Sequence, residues 1–213
     1  MSRALFAKTR RIALVVASAS VLALTGAVTA AAAPTATDDP VRTTGEVNKS
    51  LNFSCEFPLV GQRSVTAQIT ATFPDSVPAG TPIDVTGFNV AVEIDAEITD
   101  AMRLVGAATV EGTAAPNVDV DINGTPLGVR LNGMRIPSTP VPESGSMTVN
   151  IVGEVPSLTV QSAGQVSFAV GDEFSGRVTP RRADGSETSL GTFDLPCTMD
   201  AGQDPSLATV TVS

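Results

Sequence analysis

The sequence predicts an all-β protein, an antiparallel β-sandwich built as one unit or as two packed sub-sandwiches. Three observations predict it. From Val47 onward apolar and polar residues alternate with a period of two, and the apolar ones are rich in Val, Ile and Phe; a pleated sheet with one buried and one solvated face reads this way. Gly, Pro and Asn break the pattern at short intervals, as turns between short strands do. Two cysteines, Cys55 and Cys197, bracket most of the patterned region.

Each element has its own signal. Leu51–Phe57 and Val65–Ala71 alternate, and the proline-studded run Pro74–Pro82 separates strands. Ile83–Ile98 is predicted as one long strand, with Glu93, Asp95 and Glu97 on a solvated face and Val92, Ile94, Ala96 and Ile98 on a buried one. Thr99–Gly106 is the predicted helical turn, with a Thr or Asp cap and a Gly stop. Strands are expected over Ala107–Gly112, Val118–Ile122, Leu127–Leu131 and Met147–Val152, with Asn123-Gly124 turning a hairpin between the second and third. The segment Ile136–Pro142 contains three prolines, so it lacks three ladder donors and is a loop or an edge. Leu158–Val160, Gln165–Val170, Ser175–Thr179, Thr188–Phe193 and Ala208–Val212 complete the strands, and Ala183–Ser186 turns the last large hairpin.

The N-terminus reads as an export signal. Arg3, Lys8, Arg10 and Arg11 precede an uncharged run, Ile12–Ala33, that ends in small residues suited to a signal peptidase. Residues 1–33 are therefore expected to be a signal peptide, 34–44 a small, polar and acidic flexible leader, and 45–213 the folded domain. The alternative is an uncleaved anchor, since the run is long enough to span a bilayer. Its Ala, Ser and Thr content and its processed-looking end favour cleavage, which leaves no integral membrane segment and a secreted, extracellular product. Cysteines in such a compartment pair by default, so a Cys55–Cys197 disulfide is expected to staple the first and last strands.

Composition excludes several chemistries. The chain has no His, Trp or Tyr, which removes His-based nucleophile systems and imidazole-ligated zinc. Beyond residue 33 there are nine basic side chains against 22 acidic ones, a formal charge of −13. Nucleic acid and anionic lipid are repelled by such a surface. Lys49 is the one lysine there, and no motif surrounds it. Asp119-Val-Asp-Ile-Asn-Gly124 matches the first half of a calcium loop, making Asp119, Asp121 and Asn123 candidate metal ligands. The match fails at its twelfth position, Arg130, and a strand entering a hairpin explains the same residues, so no metal and no cofactor is expected. Arg177, Arg181 and Arg182 form the sole basic cluster, read as a solvated strand end rather than an anion site. Asn48, Asn52 and Asn123 head formal glycosylation sequons, which are expected to be unused.

Four segments carry a resemblance when taken together: Phe53–Gly61, Leu104–Gly112, Val141–Gly145 and Gly191–Thr198. With its Cys-x-Phe-Pro-Leu opening and Gly-Thr-Phe-x-x-Pro-Cys ending, the chain resembles an actinobacterial family of secreted domains of unknown function over roughly Gly45–Ser213. The resemblance implies an extracellular, immunoglobulin-like β-sandwich and brings no catalytic residues. The expected role is a non-catalytic binding or structural module of the bacterial cell surface or extracellular space, with a protein or envelope component as partner. The alternatives are an enzyme using paired carboxylates on glycans and a calcium-stabilised adhesion module.

Overall fold

The structure, a computed structural model, describes residues 44–213. The predicted signal segment and all of the predicted leader except Thr44 lie outside the described residues. Strand β1 (Thr44–Phe57) and strand β2 (Gly61–Pro74) form a hairpin paired along its whole length. Leu51, Phe53, Cys55 and Phe57 alternate inward on β1, and Val65, Ala67, Ile69, Ala71 and Phe73 on β2, so the period-two pattern becomes one buried face. Two short strands, β3 (Ser76–Val77) and β4 (Pro82–Ile83), precede β5 (Thr86–Ile94). Helix α1 (Ala96–Leu104) leads to β6 (Thr109–Ile122), β7 (Thr125–Arg130), β8 (Met134–Pro140) and β9 (Met147–Val152). Then come β10 (Leu158–Thr159), β11 (Gly164–Arg181), β12 (Phe193–Met199) and β13 (Ser206–Val212).

The all-β, antiparallel expectation holds, but the sheet is closed. Hydrogen-bonded neighbours run β11–β12–β1–β2–β5–β9–β8–β6 and return to β11, giving an antiparallel barrel-like circuit of eight strands. The immunoglobulin-like pair of open sheets is not the arrangement of these ladders, because β6 and β11, each long, pair with one another from Thr109–Arg181 to Ile122–Val166. Three further strands of this sheet lie outside the circuit, and β4 and β10 pair with each other in a separate two-stranded sheet. Strand β13 runs beside the first half of β11, β3 lies parallel to β13, and β7 flanks the second half of β6. The apolar interior accordingly has two parts. One lies inside the barrel and includes Phe53, Val92, Met102, Met134 and Ile151. The other, around Phe73, Ile83, Phe168, Val166 and Val210, lies where β13 and the second half of β6 leave the circuit.

Several elements differ from the sequence reading for identifiable reasons. The predicted strand Ile83–Ile98 ends at Ile94, because the Asp95 carboxylate accepts a hydrogen bond from the Ile98 amide (2.9 Å) and starts α1 as its N-cap. Asp95 and Glu97 thus leave the strand face that Glu93 occupies, and Glu97 pairs with Arg63 (2.5 Å). The predicted strands Ala107–Gly112 and Val118–Ile122 are two halves of β6, and Gln165–Val170 and Ser175–Thr179 are two halves of β11. Their interruptions coincide in space: Pro116 pairs with Phe174, and the register of β11 shifts between Val170 and Phe174. Strand β12 spans Phe193–Met199 rather than Thr188–Phe193, with Phe193, Leu195, Cys197 and Met199 turned inward. Its Pro196 falls where β12 has only β11 beside it, since the β1 ladder begins at Cys197. The proline-rich segment is strand β8, joined to β6 along most of its length and to β9 at a single pair, Arg135–Val152.

The disulfide joins Cys55 and Cys197, which are direct register partners on neighbouring strands, and both are buried. It ties β1 to β12, the penultimate strand and not the last. Only three residue pairs, Phe53–Met199 to Cys55–Cys197, join these strands. Covalent closure therefore falls on one of the two short ladders of the circuit, the other being β8–β9.

Candidate functional site: the free edge of strand β7

The turn Asn123-Gly124 places β7. Asn123 and Gly124 have φ of 54° and 84°, the left-handed pair that a two-residue hairpin turn needs, and Asp121 accepts a hydrogen bond from the Gly124 amide (2.7 Å). Asn123 is further fixed because its Oδ1 accepts from the Gln165 amide (2.8 Å). Such a turn makes Ile122–Thr125 a hydrogen-bonded pair, so the alternation of an antiparallel ladder assigns Thr125, Leu127 and Val129 to bonding with β6. The bond from the Leu131 amide to the Pro116 carbonyl (2.9 Å) continues the same phase. Pro126, Gly128 and Arg130 consequently direct their backbone groups away from β6. Among the described residues β7 has no neighbour on that side, as it ends the sheet order. Pro126 offers no N–H, which leaves the amides of Gly128 and Arg130 and the carbonyls of Pro126 and Gly128 along the edge, the Arg130 carbonyl accepting from Asn132 Nδ2 (3.5 Å).

The outer face behind this edge is low and acidic. Register places Pro126, Asp121, Ser167 and Thr209 in one cross-strand row and Gly128, Asp119, Ala169 and Ser206 in the next. Asp119 and Asp121 thus stand among small side chains, at a shallow depression of about 440 Å³ that extends over β7, β6, β11 and β13. On the opposite face Leu127 is 48% exposed, an apolar side chain left at the sheet margin beside buried Val120.

The candidates from sequence are distributed as follows. Asp119 and Asp121 lie on one face of β6 and Asn123 lies in the hairpin turn, where Asp121 accepts from the Gly124 amide and Asn123 from the Gln165 amide. Arg181 pairs with Glu111 (2.5 Å), and its guanidinium is raised above its ordinary value mainly by that hydrogen bond. Arg177 lies 3.9 Å from Asp194, so two members of the basic cluster already face carboxylates. Lys49 bonds Asp204 (2.7 Å), and this bond, followed by those from Ser206, holds the Asp204 carboxyl well below the usual carboxylate range. Asp184 is also lowered, first by the Ser186 hydroxyl within the turn that precedes β12. Both carboxyl shifts run opposite to what a glycosidase general acid requires.

A family of unknown function, DUF6801, matches residues 52–208, from the middle of β1 into β13. The chain belongs to this family. The matched span includes both cysteines, the last six residues of β1, the other seven strands of the circuit in full, and β7. No curated protein and no solved structure gives a significant match.

The surface carries an edge that alternation in the sequence does not reveal. Leu127–Leu131 was predicted as a strand and Asn123-Gly124 as its turn, but the missing neighbour depends on where β8 and β13 lie. The visible signal was Gly128, a residue with no side chain in the middle of a short strand opposite an aspartate.

Proposed function

We propose that this protein is a secreted, non-catalytic binding module that accepts an extended, basic segment of an extracellular protein along strand β7. The observation that supports the reading is the unpaired β7 edge, with two outward amides beside a face that carries Asp119 and Asp121, the Arg130 guanidinium one row further along being held by Ser175 (2.6 Å). An added strand would lie about 4.8 Å beyond β7 and so roughly 10 Å from β6. Gly128 has no side chain, so a Lys or Arg on that strand can cross it to reach Asp119. Main-chain pairing supplies affinity in this mode, and alternate side chains supply selectivity. The acidic balance of the chain favours encounter with a basic partner, and the disulfide suits an oxidising compartment.

The test uses a synthetic peptide of alternating Val and Lys, its Glu counterpart and a Pro-interrupted control, titrated while backbone amide resonances are recorded. The Lys peptide is expected to shift Gly128 and Arg130 saturably and to lose at least tenfold in affinity for Gly128→Pro and for Asp119→Asn with Asp121→Asn. Shifts elsewhere, or equal binding of the Glu peptide, would refute the assignment.

A further inference from the structure

The barrel interior is incompletely filled, and the gap has a specific origin. A cavity of about 70 Å³ lies between α1 and the barrel strands, lined by Phe57, Ile98, Met102, Ala114, Met147 and Gly176 among other residues. All of its lining surface is apolar. Ala114 and Gly176 are direct partners on the β6–β11 ladder, so the two smallest lining side chains face each other. A Cβ on Gly176 would meet Leu195 Cβ at 3.6 Å, an ordinary contact, so close packing does not demand glycine there. A second apolar cavity of about 50 Å³ adjoins the first and shares Val92, Ile151 and Phe174 with it. Phe174 stands at the register shift of β11, with its ring edge-on to Phe53 at 5.0 Å.

We propose that these two chambers form a binding site for a small hydrocarbon group, either one aromatic ring or the end of an aliphatic chain. Eight-stranded barrels either fill with side chains or hold one small ligand, and apolar cavities of roughly 150 Å³ stay dry and take benzene. Each chamber alone is too small for a ring. A rotation of Phe174 at the bulge joins them into a space that approaches that size. Entry is by displacement of α1, whose Ile98 and Met102 close one side of the larger chamber. The helix is one short element held by the Asp95 cap, the Arg63–Glu97 pair and a bond from Arg103 to the Pro142 carbonyl. Leu104, at its end, is 88% exposed. The site is separate from the β7 edge, so neither reading depends on the other.

The experiment exposes the folded, disulfide-intact protein to xenon and to benzene, recording methyl resonances of Met102, Met147 and Ala114 and the thermal midpoint. The expected result is saturable shifts of those methyls by both probes and a midpoint that rises with benzene concentration. Gly176→Ala and Ala114→Val each shrink the larger chamber and are expected to fold with an unchanged or raised midpoint while binding benzene at least tenfold more weakly. An aliphatic alcohol series then distinguishes a ring from a chain end, longer chains gaining affinity only in the second case. Unshifted wild-type methyls, or benzene binding retained in full by both variants, would overturn the proposal.

Discussion

Reduction of the Cys55–Cys197 bond tests how the barrel is held shut. The bond encloses a loop with a sequence separation of 142 residues, and the chain-entropy relation assigns such a loop about 5 kcal/mol as an upper value. Against this stands the β1–β12 ladder, only three pairs long, together with the polar ties between β1 and the segment after β12. Those ties include Ser54 to Asp200 (2.7 Å), Lys49 to Asp204 (2.7 Å), the Asn52 amide to Gln203 (2.8 Å), and the Asp200 amide (3.0 Å) and Gln203 Nε2 (2.8 Å) to the Asn52 carbonyl. They are mostly exposed, and polar contacts at the surface contribute little to stability, so the covalent link dominates the seam. At about 2–4 °C per kcal/mol for a domain of this size, reduction is expected to lower the thermal midpoint by roughly 10–20 °C. The assay is far-ultraviolet circular dichroism or scanning calorimetry, since the chain has no Trp or Tyr to report unfolding by fluorescence. Reduction keeps both sulfurs in place and isolates the cross-link; a Cys55→Ala, Cys197→Ala double variant adds the loss of two buried side chains and is expected to fall further. A drop of less than about 4 °C on complete reduction, which corresponds to about 1–2 kcal/mol, would refute the reasoning and assign closure to the β6–β11 ladder.

Two further outcomes follow from specific bonds. The Asp204 carboxyl is held low by Lys49 and then by Ser206, so its folded value lies beneath the unfolded one of about 3.9. Its contribution is complete above the unfolded value and is lost as pH falls toward the folded value; the midpoint gap between wild type and Asp204→Asn is therefore expected to be constant from pH 7 to about 5 and to narrow below about 4. A gap independent of pH would contradict this. Asp95→Ala removes the cap that starts α1, which is expected to cost about 1 kcal/mol and to accelerate hydrogen exchange at Ile98 and Thr99, whereas Asp95→Asn retains most of the cap; equal exchange in all three proteins would show that the helix does not depend on it.

Local structure was legible wherever one residue type has one physical use. Asn123-Gly124 turned the hairpin it predicted, and the alternating residues around Phe53 and Ile69 became a buried face. The start of α1 was obscured because two periods overlap there: Ile94, Ala96 and Ile98 continue a strand pattern, while Ile98 and Met102 begin a helical one. Asp95 followed by Glu97 was the available cue, an N-cap and a first-turn acid. Barrel closure was not legible, because it depends on pairing β6 with β11 across more than forty residues of sequence, and alternation fixes a face without naming a neighbour. The free β7 edge was hidden for the same reason.

The edge and the closure have a common cause in β6. Its first half has β8 on one side and its second half has β7 there, so these two strands lie end to end along the same side of β6. Between them Leu131 bonds back to Pro116, at the point where β11 shifts register. Beyond that point β6 departs from the circuit with β11 and carries β7 with it, while β8 stays in the barrel and meets β9 through Arg135–Val152. Strand β8 also has an unpaired stretch, but Pro137 and Pro140 remove donors from it and blunt it against docking. Strand β7 has one proline, at its first outward position, and beyond it the Gly128 and Arg130 amides are unguarded. A sheet that protects one margin with two prolines and leaves the other with a glycine beside two aspartates distinguishes its edges chemically. Placing Pro at Gly128 would make the second edge like the first, and that substitution is therefore the sharpest test of whether the open edge is used.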